Sequence, residues 1–169
     1  MKTSNDYSRS IELLNKAVNE ELDAVHQYLY FHFHCDDQNL DLLSSLFRRT
    51  AISEMRHVEQ LAERILFLGG EVEMAGGKIE HIKDVEAMLK KSYEMEDTTV
   101  LHYNQWAIEC GNAADSASKK LFETLVLEEE EHRDQYDNEV NNLDTYGKDY
   151  LSQQVMERSK AIASGKVEE

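Results

Sequence analysis

Glu54-Met55-Arg56-His57 and Glu129-Glu130-Glu131-His132 are one Glu-x-x-His motif written twice in a chain of 169 residues. Each copy follows a lone glutamate by 33 residues: Glu21 precedes Glu54, and Glu96 precedes Glu129. The motif belongs to a wider internal repeat at an offset of 75 residues. Leu14, Val25, Tyr28, Cys35 and Phe47 recur as Leu89, Val100, Tyr103, Cys110 and Phe122, and all six motif residues recur with them. The period is too long, and the copies too few, for a solenoid, so the repeat reads as a duplicated helical hairpin.

The spacing of apolar residues places these groups on helices. Positions 11, 14, 18, 21, 25, 28, 32 and 35 read Ile, Leu, Val, Glu, Val, Tyr, His and Cys, in alternating steps of three and four. That is the seam of a helix facing a bundle, with Glu21 where an apolar residue is expected. Leu43, Phe47, Thr50, Glu54, His57, Leu61, Arg64 and Leu68 form a second seam. Glu96 stands among Leu89, Tyr93, Val100 and Tyr103 on a third, and Glu129 and His132 stand among Phe122, Leu125 and Tyr136 on a fourth. All six ligand candidates therefore face the core.

Breaks are expected at 36–41, 69–83, 111–115 and Gly147, with glycines at helix ends and Asp41, Asp84 and Asp115 as N-caps. The midpoints between Glu21 and Glu54, and between Glu96 and Glu129, fall in the first and third breaks. Each glutamate pair is thus level along an antiparallel hairpin. A helix of about 27 residues is roughly 40 Å long. The middle connection of 15 residues spans about 50 Å when extended, enough to run the length of the bundle. The predicted fold is an all-α four-helix bundle, up-down-down-up with one long crossover. A short fifth helix after Gly147 completes a domain over 1–158, and 159–169 is expected to be a flexible tail.

Composition agrees and excludes several roles. Hydrophobic residues make up 41%, and there is no proline. A chain of this length buries one real core. No apolar run is long enough for a membrane span and no signal-peptide pattern opens the chain, so a cytoplasmic protein is expected. Two cysteines do not make a disulfide framework. A net charge of −16 argues against nucleic acid or an anionic membrane as partner.

Four inward glutamates in one layer repel one another and take up protons unless cations are present. No matching set of inward Lys or Arg supplies the charge. Two divalent metal ions would, with Glu21 and His57 on one, Glu96 and His132 on the other, and Glu54 and Glu129 bridging. On four long helices this is the ligand set of a carboxylate-bridged di-iron site, and carboxylate with imidazole suits iron or manganese. Tyr28 and Tyr103 lie two turns beyond the terminal glutamates, as core residues or as hydrogen-bond partners of ligand carboxylates. Cys35 and Cys110 read as small core residues near opposite bundle ends, and the His32-to-Cys35 run as an ordinary buried histidine or thiol.

At these residues the chain resembles the bacterioferritins. The stretches Leu14-Asn15-Lys16, Gln27-Tyr28, Glu54-Met55-Arg56-His57 and Glu63-Arg64-Ile65-Leu66-Phe67-Leu68 are similar to that family's first two helices. The region from Met88-Leu89 to Glu96 and the stretch Glu128-Glu129-Glu130-Glu131-His132 are similar to its second half. The resemblance implies a ferritin-like fold and ferroxidase activity: Fe(II) oxidised by O₂ or H₂O₂ at Glu21, Glu54, His57, Glu96, Glu129 and His132, with ferric iron stored in a hollow homo-oligomeric shell. The fifth helix favours 24 subunits over a Dps-like 12. It also implies haem b ligated between subunits by the methionine of Glu-Met-x-His, here Met55. The chain departs from the pattern nearby, with polar His26 and Arg48 on flanking faces, which argues against haem. The alternative reading is a di-iron or di-manganese peroxide-detoxifying enzyme. A rubrerythrin-type version would carry a Cys-x-x-Cys iron module, which this chain lacks.

Overall fold

The computed structural model describes residues 6–77 and 79–165. Five helices follow in order: α1 (Ser8–Asp37), α2 (Asp41–Phe67), α3 (Val85–Asn112), α4 (Ser116–Tyr146) and α5 (Lys148–Ala163). The apolar seams pair them into two antiparallel hairpins, α1 with α2 and α3 with α4.

Two apolar clusters fix the topology. One gathers Leu13, Leu14 and Ala17 from the start of α1, Leu61 and Ile65 from the end of α2, Trp106 and Cys110 from the end of α3, and Phe122 and Leu125 from the start of α4. The other gathers the opposite ends: Phe31 and Cys35, Leu43 and Phe47, Met88 and Leu89, Tyr136 and Leu143. Chain directions are therefore up, down, down, up. Burying each large apolar side chain contributes about 1.5–3 kcal/mol. The six motif residues form a polar layer between the clusters. Cys35 and Cys110 are buried free thiols, one in each cluster.

The crossover runs alongside α1, pinned by two amide side chains that each meet the backbone twice. Asn15 donates to Glu71 O at 2.9 Å and accepts from Glu73 N at 2.8 Å. Gln27 donates to Glu80 O at 2.9 Å and accepts from Glu80 N at 2.7 Å. Both amides are buried, so these bonds satisfy groups that would otherwise be costly.

The repeat extends to the turns. After α1, Leu40 N bonds Cys35 O and Asn39 adopts φ 61°. After α3, Asp115 N bonds Cys110 O and Ala114 adopts φ 56°. Both are Schellman-type endings, made without the expected glycine, and Gly111 lies inside α3. The caps differ. Asp84 and Asp115 accept from Ala87 N and Ser118 N, as expected. Asp41 does not cap: Leu40 holds that position without a side-chain bond, and Asp41 falls in the first turn of α2. Its carboxylate instead pairs with Arg158, which docks α5. α5 remains helical through Ala163, past residue 159, while residues 166–169 lie outside those described.

Candidate metal centre

α1 and α3 each bring one glutamate to the polar layer, and α2 and α4 each bring a glutamate and a histidine one turn apart. All six side chains are buried, from Glu54 and His57 at 0% exposed to His132 at 9%. Their facing atoms fall into two overlapping groups, Glu21–Glu54–His57–Glu129 and Glu54–Glu96–Glu129–His132, with atoms in each within 4.8 Å of one another. Glu54 and Glu129 are common to both.

The shared carboxylates are oriented symmetrically. His57 Nδ1 lies 2.8 Å from Glu54 Oε2 and 2.8 Å from Glu129 Oε1. His132 Nδ1 lies 3.0 Å from Glu54 Oε1 and 3.4 Å from Glu129 Oε2. Each shared carboxylate thus turns one oxygen to each imidazole. Yet Glu54 Oε1 and Oε2, Glu129 Oε1 and His57 Nδ1 make no hydrogen bond. Buried polar atoms that converge without bonding cost several kcal/mol unless something else occupies their lone pairs. The donor set of four carboxylates and two imidazoles fits a pair of divalent cations in chemistry and charge.

The electrostatics of the cluster point the same way. Burial, then the charges of Glu129 and Glu54, raises Glu21 well above the usual carboxylate range. Burial, then Glu54 and Glu129, does the same to Glu96. Burial opposes a charged His132, but contact with Glu129 and then Glu54 outweighs it and pushes the pKa up to about 10. His57 is raised against burial by Glu129, Glu21 and Glu54. Burial would raise Glu129, but His132 and His57 hold it low. All four upward shifts favour the more positively charged state of the group, the direction in which bound cations would also relieve the layer.

Tyr28 and Tyr103 are hydrogen-bond partners of the glutamates, and the pairing is crossed. Tyr28 on α1 donates to Glu96 Oε1 on α3, and Tyr103 on α3 donates to Glu21 Oε1 on α1. Each tyrosine thus ties one hairpin to the other. Glu128 is a residue that seam analysis missed. Its Oε2 lies 3.0 Å from His57 Nε2, fixing the ring so that Nδ1 faces inward. Glu128 precedes the inward residue by one position and is part-exposed, so periodicity carries no signal for it. Its repeat counterpart is Ser53. Arg64, on the α2 seam, pairs with Asp115 at 2.6 Å and lies outside the cluster. His32 bonds Ser44 at its own end of the bundle. Met55 is 49% exposed and projects away from the six.

A four-helix bundle enclosing this doubled carboxylate–imidazole layer is ferritin-like in class, and residues 11–146 match the Ferritin family, a ferritin-like domain. A bacterioferritin from Desulfovibrio desulfuricans is 36% identical over 146 residues, 86% of this chain and 82% of that protein. One from Rhodobacter capsulatus is 30% identical over 144 residues, 83% and 88% of the two chains. The chain belongs to the bacterioferritin family of ferritin-like proteins. The crystal structure of the D. desulfuricans bacterioferritin, which describes that protein's diiron site in different catalytic states, superposes with a TM-score of 0.86 at 35% identity, covering 90% of this chain and 91% of that one.

Proposed function

We propose that the protein is an iron-storage ferroxidase, which oxidises Fe(II) at the six-residue centre and keeps ferric mineral inside a hollow shell of its own subunits. The observation that carries this reading is the convergence of buried, unbonded carboxylate and imidazole atoms from four helices. Two Fe(II) ions bring four positive charges to four carboxylates, removing the repulsion that raises Glu21 and Glu96. Glu21 with His57 and Glu96 with His132 would each hold one iron, and Glu54 and Glu129, common to both groups, would serve both. Iron is the substrate here. Two Fe(II) give up one electron each; O₂ with two protons leaves as H₂O₂, or H₂O₂ with two protons leaves as two waters.

The protein's own part is positioning and access. Tyr28 and Tyr103 hold the outer glutamates, and Glu128 holds His57. An acidic recess of about 360 Å³ between α1 and α3, with Glu20, Asp23, Glu80 and Glu94 in its wall, reaches Glu21 and Glu96. Its charge favours approach of Fe(II). Leu42, Phe67, Leu101 and Leu127 are more than half exposed, apolar surface of the kind subunit contacts cover. No helix is long and apolar enough to cross a membrane among the described residues. A cytoplasmic shell of 24 subunits is the assembly this reading expects, with 12 the alternative. Met55 is half-exposed, but polar His26 and Arg48 on the flanking helix faces argue against haem b there, and haem is not part of this reading.

Aerobic Fe(II) loading followed by size exclusion and iron counting tests the whole. A particle near half a megadalton that retains hundreds of irons per shell is the expected result. A smaller particle that consumes H₂O₂ and retains no iron would favour a peroxide-detoxifying enzyme.

A further inference from the structure

A second recess opens on the opposite side of the centre, between α2 and α4, and its chemistry is inverted. It has a volume of about 420 Å³, and Arg49, Thr50, Ser53, Arg56, His132 and Gln135 line it together with Ile52. None of these residues is acidic, in a chain with 34 acidic residues and 18 basic ones. We propose that this recess binds inorganic phosphate beside His132.

The internal repeat explains why the recess exists. Glu128 caps the outer edge of His57 at 3.0 Å, and the residue in the equivalent position of the first hairpin is Ser53. A serine is shorter and uncharged. The outer edge of His132 is therefore left open where that of His57 is closed by a carboxylate, and His132 is the most exposed of the six.

The donors match a tetrahedral oxyanion. Arg49 and Arg56 are seven residues apart on α2, two turns along one face and about 10 Å in rise. Their side chains are long enough to meet over a single anion. Arg49 donates Nη1 to Ser45 Oγ at 2.8 Å, which braces the side chain and leaves the rest of its fork without a partner among the described residues. Arg56 makes no ion pair or hydrogen bond among the described residues. Guanidinium forks bind phosphate through paired, charge-assisted hydrogen bonds, and the Ser53 hydroxyl and Gln135 amide supply neutral donors beside them.

The two recesses give the centre an electrostatic direction. The carboxylates of the α1/α3 side attract Fe(II), while Arg49 and Arg56 repel it from the α2/α4 side. Phosphate held there is a hard oxygen ligand for Fe(III) leaving past His132. This role rests on the centre being an iron-oxidation site; the binding of phosphate does not.

The test uses the full-length protein freed of metal, titrated with inorganic phosphate by calorimetry at low ionic strength. Saturable binding of one phosphate per chain is expected. Arg49→Gln and Arg56→Gln should each weaken it by about tenfold or more, the scale of a lost charged hydrogen bond. Arg48→Gln, on the same helix but outside the recess, should leave it unchanged. Absence of saturable binding, or equal weakening by all three substitutions, overturns the proposal. In a second arm, phosphate should speed transfer of oxidised iron to the mineral in the parent but not in the Arg49→Gln/Arg56→Gln protein. If phosphate binds as stated and Fe(II) is not oxidised at all, the ferroxidase reading falls and the anion site stands.

Discussion

Glu129, like Glu54, turns one oxygen to each histidine, so the centre's geometry depends on it. Glu129→Ala should abolish rapid Fe(II) oxidation and leave the protein's size in solution unchanged. A pair of metals working together needs a separation of about 3.5–4 Å, which this carboxylate helps to set. The truncation leaves a cavity costing about 2–3 kcal/mol, partly offset by reduced repulsion among the remaining glutamates. Stopped-flow absorbance and light scattering on one sample decide it: a variant that oxidises iron at the parental rate would move the catalytic centre elsewhere. Tyr28→Phe and Tyr103→Phe keep the rings and remove only the bonds to Glu96 and Glu21. Outer partners of metal ligands are typically worth 10–100-fold, so oxidation should slow by about that factor in each. Unchanged Fe(II) affinity and rate in both would make the tyrosines plain core residues. Met55→Leu should leave oxidation intact, since that side chain projects outward, and should remove haem from any preparation that carries it. Absorption at the Soret band reads the second effect, and a slowed oxidation with both irons bound would contradict the first.

Between elements, the turn after α3 carries a cost that the sequence can relieve. Ala114 holds φ 56°, a left-handed conformation in which a Cβ crowds the following carbonyl and costs about 1–2 kcal/mol. Asn39, its repeat counterpart, tolerates the same conformation better. Ala114→Gly should therefore stabilise the chain by roughly 0.5–1 kcal/mol, after the extra freedom that glycine gives the unfolded state. Thermal melting of the two proteins side by side reads the difference. A lower melting temperature in the glycine variant would mean that the ending of α3 is held by something other than its backbone geometry.

On the scale of the whole molecule, the buried centre couples protonation to folding. His132 has its pKa pushed up to about 10, and His57 is raised as well. A raised imidazole contributes stability that is fully present below its unfolded value of about 6.5 and is lost as pH rises through the folded value. Raised Glu21 and Glu96 add the same sign, because each favours the protonated form in the folded state. Glu129 has the opposite sign: its low pKa contributes stability above the usual carboxylate range that is lost in acid. The metal-free protein should therefore melt at progressively lower temperature between about pH 7 and pH 10. With metal bound the protons are displaced and the decline should disappear. Equal slopes for the two forms would show that these groups do not exchange protons for cations.

The sequence alone determined the four long helices, the up-down-down-up topology and the six inward residues. A period of 3.6 places a residue on a seam whatever it packs against, and the duplication repeats the spacing of the glutamates and histidines. Asp84 and Asp115 were legible as caps because capping is local; Asp41 was not, because Arg158, more than a hundred residues away, claims its carboxylate. Only the tertiary structure decided which hairpin each tyrosine serves. Spacing puts Tyr28 near Glu21, while packing delivers its hydroxyl to Glu96. Glu128 and Arg56 were equally silent in the sequence, since both lie on outer faces where a charged residue is the ordinary occupant. Their neighbours across the bundle give them roles: His57 gives Glu128 something to hold, and the gap at Ser53 gives Arg56 a recess to line. Contacts between helices distant in sequence depend on rotation and height about the bundle axis, and no single helix's pattern contains those quantities.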